Sequence, residues 1–485
     1  MANVNLEPAE VFACFAEINK IPRPSKKEEK MIEFLKNYGE KLGLETKVDE
    51  VGNIVIKKPA SKGYEDRETT IIQSHMDMVC EKDSDIEFDF MNDPIQTEID
   101  GEWLKAKGTT LGADDGIGVA MELAILKDNS ILHGPIECVF TRDEETQLTG
   151  ASGMKAGFMT GRYLLNLDSE DEGEIFISCA GGASTNAVFH FNMESAPQDY
   201  YFFKAGISGL TGGHSGDDIE KKRANANKLL VRFLYNEMKK CDLRISDIQS
   251  GGLHNAIPRE GWAVCAVPMK DKEQIRIDAN VYAAEIEEEF SITEKSLNFY
   301  VESADAADVI ESESSRKIIT SLQAVDNGVF AMCQDIDWLV ETSSNLASIH
   351  KKGCTIEVAT SQRSNMISAR KNMSATVSAA FELAGADVHT TDGYPGWKLN
   401  PNSELLKLVV KSYECLFGKT PKVLAIHAGL ECGLFSEKYP HIDMVSFGPT
   451  LRGVHSPDEK LLIPTVKKAW DLLLEILRNI PKKSA

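Results

Sequence analysis

Three successive apolar runs in the first third of this chain end in a histidine or an acid. Ile71-Ile72 leads into Gln73-Ser74-His75-Met76-Asp77, residues 136–140 lead into Thr141-Arg142-Asp143-Glu144-Glu145, and residues 162–167 close on Asp168. Short buried strands with polar tips belong to parallel or mixed sheets covered on both faces. Open α/β sheets of this kind gather their functional groups beyond the carboxyl ends of the strands. One such tip is commonplace. Three in succession, all of metal-ligand type, point to an α/β sheet with a site at one end. His75 and Asp77 are two residues apart, so on an extended backbone both side chains point the same way. A carboxylate in that position can fix the tautomer of a metal-ligating imidazole.

At 485 residues the chain exceeds one ordinary core, which implies two or three domains. The 75 acidic residues against 53 basic ones leave a net charge of −22, which argues against nucleic acid or an anionic membrane as a partner. None of the ten cysteines forms a C-x-x-C pair, and this weighs against a thiolate zinc site. Scattered among apolar neighbours, they read as free thiols of a reducing cytosol, so a cytoplasmic location is expected. The first residues lack the basic and apolar runs of a secretory signal. No stretch has the length of a membrane-spanning helix.

Along the chain, Val11, Phe12, Phe15 and Ile18 recur at helical spacing before Pro22 and Pro24. Ser25 is expected to cap a second helix with Met31, Ile32, Leu35, Tyr38 and Leu42 on its apolar face. Strands follow near 46–48 and 54–56, and a hairpin pairs 95–99 with 103–106 across Asp100-Gly101. Asp114 and Asp115, between Gly112 and Gly116, open a helix that runs to about Lys127. Carboxylates suit a helix N-terminus as caps. Two of them flanked by glycine exceed what a cap needs, and the glycines permit a path that aims one carboxylate away from the helix.

From about residue 187 to 394 the character changes to alternating strands and helices without further acids at strand ends. Strands are expected near 187–191, 201–205, 262–267, 296–301 and 355–359, and helices near 219–238, 273–289 and 365–383. This reads as an inserted α+β domain between catalytic segments 1–186 and 395–485. The insert holds a glycine-rich loop with His214, the run His254-Asn255, and Gln362-Arg363-Ser364 after a strand. The final segment returns to α/β character, with Glu431 after one strand and His455 in the loop Gly453-Val454-His455-Ser456-Pro457-Asp458-Glu459.

The candidates are therefore His75, Asp114, Glu145, Asp168 and His455, with Asp77 and Glu144 beside them. Two histidines and three carboxylates suit two borderline divalent ions, one carboxylate bridging. The motifs H-M-D, G-A-D-D-G, D-E-E-T, the Asp168 strand end, G-G-H-S-G and G-V-H-S-P-D-E fall in an order that resembles the dinuclear zinc exopeptidase clan, which includes peptidase T, carnosinases and aminoacylases. The likeness spans nearly the whole chain and favours the branch of aminoacyl-histidine (Xaa-His) dipeptidases. It implies an α/β/α sandwich with a mixed sheet, interrupted by an α+β lid domain. It also implies that Asp114 bridges two metals with a cis peptide to Asp115. His75 and Asp168 would complete one site, and Glu145 and His455 the other. Asp77 would orient His75, Glu144 would be the general base, and His214 would stabilise the oxyanion. Asn255 and Arg363 would bind substrate, Arg363 at a terminal carboxylate. One departure is Gly116, where many members of the clan carry lysine, a change expected to touch helix packing more than ligation.

Peptide hydrolysis needs an activated water, a polarised carbonyl and a protonated leaving amine, which two metals and a carboxylate base supply. An exopeptidase must also hold charged substrate ends, for which Arg363 and Glu431 are candidates. The expected cofactor is a pair of divalent ions, zinc first, with cobalt or manganese as alternatives. The expected substrates are unblocked dipeptides such as Xaa-His, including β-alanyl-histidine, and the resemblance implies a homodimer formed through the lid. Two other readings are a deacylase or aminotripeptidase of the same clan and a non-catalytic metal-binding protein. Glu144 argues against the last, since a pseudo-enzyme has no use for a base beside a ligand.

Overall fold

A computed structural model of the chain describes residues 6–334, 336 and 338–483. The described residues divide into two compact units. The first comprises the chain up to Ser178, Trp397–Ala425, and the chain from Glu431 onward; the second comprises Cys179–Gly396 and Ile426–Leu430.

The first unit is built on an eight-stranded sheet in the order Glu45–Val48, Ile54–Lys58, Ile136–Thr141, Thr70–His75, Tyr163–Asn166, Asp443–Ser446, Glu174–Cys179 and Lys422–Ile426. The four strands from Ile136–Thr141 to Asp443–Ser446 are parallel, and antiparallel neighbours flank them, so the sheet is mixed. The parallel strands are apolar through their length because both faces are covered: Ile71, Ile72, Val139, Leu164, Leu165 and Val445 are fully buried. Helix Ala113–Lys127 is apolar on every side and buried along nearly all of its length. A helix of that composition belongs in a core rather than on a surface. Helices Ala9–Ile18 and Ile463–Asn479 contribute to the same core. The hairpin Thr97–Asp100 with Trp103–Ala106 forms as its turn residues dictate, within a small four-stranded sheet that also holds Leu451–Arg452 and Lys460–Leu462.

Ser25 does not cap the second helix. That helix is Glu29–Lys41, with Glu28 at its N-cap position. The Ser25 hydroxyl instead donates to the Asp77 carboxylate at 2.8 Å. Long-range demand for a donor at Asp77 overrides the local capping preference of serine.

The second unit is α+β. Nine of its strands form an antiparallel sheet with the path Asn298–Ser303, Tyr200–Ser208, Gly261–Pro268, Arg244–Gly251, Val340–Lys352, Thr355–Ser364, Gly181–His190 and Asp387–Thr390, while Gly328–Met332 pairs with Val340–Lys352. Helices Ala226–Met238, Lys272–Glu289, Ser312–Ala324 and Ile367–Glu382 share one apolar core with it. The helix expected over 219–238 is broken: a short 3₁₀ turn, Ile219–Lys221, precedes it, Lys222 has φ +54°, and the Asn225 side chain caps Ala226–Met238 by accepting from Lys228 N–H at 3.2 Å. Gln362-Arg363-Ser364 does not follow a strand but ends one, Thr355–Ser364.

Candidate dinuclear metal centre

All five candidate ligands lie in the first unit, at the carboxyl ends of the parallel strands or in loops that reach them. His75 is the last residue of the central strand Thr70–His75 and is buried. Asp77, two residues on, is fully buried. Its carboxylate receives the Ser25 hydroxyl and the backbone N–H groups of Glu144, at 3.0 Å, and Glu145, at 3.3 Å. One side chain thus ties the tip of one strand to the loop beyond its neighbour. That loop turns sharply at Asp143, which has φ +49° and whose carboxylate receives the hydroxyls of Thr146 and Thr149. Glu28 supports it from below, accepting from the Asp143 N–H at 3.1 Å and from the Arg142 guanidinium at 2.6 Å.

The acidic pair divides its labour. The peptide bond between Asp114 and Asp115 is cis, and neither residue has helical dihedrals. Asp115 is the cap: its carboxylate accepts from Gly118 N–H at 3.2 Å. Asp114 points away, with Oδ1 3.1 Å from His75 Nε2 and Oδ2 3.2 Å from His455 Nε2. His75 Nε2 is also 3.5 Å from Asp168 Oδ1, and His455 Nε2 is 2.9 Å from Glu145 Oε2. Among the described residues, potential ligand atoms of His75, Asp114 and Asp168 lie within 4.8 Å of one another, as do those of Asp114, Glu145 and His455. The two groups share Asp114.

The electrostatics fit a site built for cations. Burial, with the Asp114 charge beside it, pushes the Glu145 carboxyl up to about 7. Burial pushes Asp168 up to about 6 against the pull of His75. Glu144 is raised well above the usual carboxylate range by burial, with His75 opposing and the charges of Asp168, Glu145 and Glu431 adding to the rise. Asp114 goes the other way: burial opposes ionisation, but hydrogen bonds from both imidazoles hold its carboxyl far below the usual range. Glu145 Oε1 is buried with no hydrogen-bond partner. So dense a set of buried carboxylates is self-repelling unless cations neutralise it. Nitrogen and oxygen donors in this ratio suit divalent cations, and Asp114 is common to both groups.

The remaining candidates are more dispersed. Glu431 lies in the first unit, fully buried, with Oε2 accepting from Gln73 at 2.6 Å and Thr141 at 2.7 Å and Oε1 unpartnered. Burial pushes its carboxyl up to about 7. In the second unit, Arg363 donates to the Tyr394 hydroxyl at 3.0 Å and stands 3.4 Å from His214 Nε2, and its Nε is buried without a partner. The Asn255 carbonyl accepts from Ser215 N–H at 2.8 Å in the loop that carries His214. Sequence reasoning passed over Tyr394, Glu28, Arg23 and Glu459. Arg23 stands between two prolines and Glu459 four residues beyond His455, which were the signals available.

The chain is 42% identical over 480 residues to the cytosol non-specific dipeptidase of Escherichia coli strain K12, covering 99% of each protein. Its fold matches the crystal structure of aminoacylhistidine dipeptidase from Vibrio alginolyticus with a TM-score of 0.91 and 41% identity, over 99% of this chain and 98% of that one. Aminopeptidase PepT from Bacillus cereus shares the fold at a TM-score of 0.58 and 17% identity, over 97% and 98% of the two chains. The model of peptidase family M20/M25/M40 matches residues 71–479, a span that opens on the His75 strand and takes in every candidate ligand, and the chain belongs to that family.

Proposed function

We propose that this chain hydrolyses unblocked dipeptides such as Xaa-His, β-alanyl-histidine included, at a dinuclear centre held by His75, Asp114, Glu145, Asp168 and His455. The observation that carries the reading is the Asp114 carboxylate, whose two oxygens face two different imidazoles at 3.1 and 3.2 Å. A capping aspartate has no need of that arrangement; a bridging one does. Two divalent ions, zinc in the first instance, supply an acidified water and charge to stabilise the oxyanion. Glu144 accepts a proton from the attacking water and delivers it to the leaving nitrogen, a task suited to a carboxyl whose affinity for protons is already raised. Asp77 orients His75. His214 donates toward the developing oxyanion, while Arg363 and Asn255 hold the substrate, Arg363 at its carboxylate. Glu431 offers its unpartnered oxygen to the substrate amine. The segment 187–394 acts as a lid between catalytic segments 1–186 and 395–485 and pairs two copies as a homodimer. Two features support a cytoplasmic setting: cysteines free of disulfides, and a relative named as a cytosol dipeptidase. No helix among the described residues is long and apolar enough to cross a membrane.

Metal-free protein assayed with added Zn²⁺, Mn²⁺ or Co²⁺ on free dipeptides, tripeptides, dipeptide amides and N-acyl amino acids tests the reading. Free dipeptides should be the best substrates. Faster cleavage of N-acyl amino acids would make it a deacylase, and faster cleavage of tripeptides an aminotripeptidase.

A further inference from the structure

The turn that presents Asp114 is held from both of its hydrogen-bonding sides. The Glu459 side chain is 2% exposed and takes four successive backbone N–H groups: Oε2 accepts from Leu111 at 2.7 Å and Gly112 at 2.9 Å, and Oε1 from Ala113 at 2.7 Å and Asp114 at 3.3 Å. On the carbonyl side stands Arg23, 1% exposed, whose guanidinium donates to Gly112 O at 2.5 Å, Asp77 O at 2.8 Å and Met76 O at 3.3 Å. Arg23 therefore joins the Asp114 turn to the segment that follows His75. A turn with Gly112 at φ +67° and non-helical dihedrals at Asp114 has no ladder of its own to hold it. Buried charges at this depth persist only when paired and hydrogen-bonded, and here backbone groups are the partners.

The same contacts leave no room for a side chain at Gly116. A Cβ at Gly116 would lie 2.5 Å from Arg23 Nη2 and 3.2 Å from the Phe15 ring, and one at Gly112 would also lie 2.5 Å from Nη2. The space a side chain would take at residue 116 is filled by the guanidinium.

We infer that Glu459, braced by Arg23, is a positioning residue that aims the Asp114 carboxylate between His75 and His455. The inference rests on the reading of Asp114 as the bridging ligand. Glutamine is a poor substitute at 459, because one of its two ends presents N–H donors to a pair of backbone N–H donors.

The test uses full-length protein freed of metal with a chelator, with its fold checked by circular dichroism, and titrated with Co²⁺ by calorimetry and visible absorption. Wild type should take up two ions. Glu459→Gln should bind at least one of them roughly 10–100-fold more weakly, the usual cost of losing a supporting contact to a metal ligand. Its cobalt spectrum should change, and at saturating metal kcat should fall while KM stays near wild type. Arg23→Ala and Gly116→Ala should each weaken cobalt binding. The double variant should be no worse than Arg23→Ala alone, because both changes remove the same guanidinium from the same place. Two ions bound by Glu459→Gln with wild-type affinity and spectrum, and only a lower Tm, would overturn the inference while leaving the dinuclear reading intact. If Glu459→Gln does not fold, Glu459→Asp, which is too short to keep all four N–H contacts, is titrated in its place, and wild-type affinity and spectrum there would overturn it instead. Fewer than two ions in wild type would remove the dinuclear reading itself, and this inference with it.

Discussion

His75 Nδ1 lies 3.4 Å from Asp77 Oδ1, and the Asp77 carboxylate that faces the ring also receives the N–H groups of Glu144 and Glu145. One buried side chain thereby faces a candidate ligand and is bonded to the loop that carries another. Asp77→Asn should be more damaging than its size suggests, because an amide N–H₂ must then face either the imidazole and the Glu144 N–H or the Glu145 N–H and the Ser25 hydroxyl. We expect metal binding to weaken by at least about 10-fold and kcat to fall further than that. Metal titration and steady-state kinetics on the same preparation check it. Unchanged metal affinity would mean that Asp77 serves the fold alone.

Glu144 stands beside a candidate ligand but touches no imidazole at hydrogen-bond distance among the described residues, whereas Glu145 Oε2 is 2.9 Å from His455. Glu144→Gln should keep both metals and lose turnover by on the order of 10²-fold or more. Metal analysis and activity on one sample decide it, since loss of metal would exchange the roles of Glu144 and Glu145.

Asp114 and Asp115 make a sharper pair. Asp114→Asn removes the charge between two imidazoles and should empty at least one metal site. Asp115→Asn keeps an oxygen that can accept from Gly118 N–H and should cost little stability while both ions remain. Full occupancy in Asp114→Asn, measured by elemental analysis, would reverse the order assigned to the pair.

His75, Asp114, Glu145 and Asp168 were legible because each stands near where an apolar run stops, at a strand end or a helix start, and the mixed sheet draws such ends together; His455, in a loop, carried only the glycine and proline around it. The contacts that hold them were not. Arg23 meets Gly112 across 89 positions, and Glu459 meets Leu111 across 348. Each bonds to backbone groups, which carry no side-chain signal in a sequence. Ser25 read as a local cap because its true partner, Asp77, is remote. The strand Val340–Lys352 and the end of Thr355–Ser364 were obscured by polarity: Thr342, Asn345, Thr360, Gln362 and Ser364 are buried but have partners, as in Thr342 to Ser364 at 3.0 Å, Gln362 to Thr360 at 2.8 Å and Asn345 to the Ala256 carbonyl at 2.9 Å. Buried polar ladders of this kind look like loops when hydrophobicity alone is read.

His427 in the second unit gives a pH dependence with a defined sign. Its ring is buried, with Nε2 2.8 Å from the Ser343 hydroxyl, and burial, helped by the Arg363 charge, pushes its pKa down to about 3. The unfolded chain binds this proton near 6.5 and the folded one only near 3. Stability from the neutral ring is therefore fully present above pH 6.5 and is lost as pH falls from there toward 3. At pH 5.5 the loss from this one group is on the order of 1 kcal/mol. Denaturant unfolding of metal-free protein at pH 7.5 and 5.5 should show a drop in stability that is smaller by about that amount in His427→Gln. An identical drop in both proteins would mean that the ring is protonated within the fold.

Arg363 carries the test of substrate length. Metals alone would hydrolyse any amide that reached them, so selection for dipeptides must come from groups that read the substrate's ends. The Arg363 guanidinium is held by the Tyr394 hydroxyl at 3.0 Å on one arm, stands 3.4 Å from His214 on the other, and keeps a buried Nε without a partner. In the proposed lid, that fork meets the substrate carboxylate as closure expels water, and a longer peptide would put its next residue where the fork must sit. Arg363→Ala should then raise KM for free dipeptides by roughly 10²-fold, the equivalent of about 3 kcal/mol from a desolvated charge-assisted pair. Both metals should remain bound. A dipeptide amide, which has no carboxylate to lose, should feel the change far less, and tripeptides should gain relative to dipeptides. Tyr394→Phe should give a smaller effect of the same kind, because it frees one arm of the fork without removing its charge. Equal losses on the free acid and the amide would mean that Arg363 supports the sheet in which it lies, and another group would then have to measure the substrate.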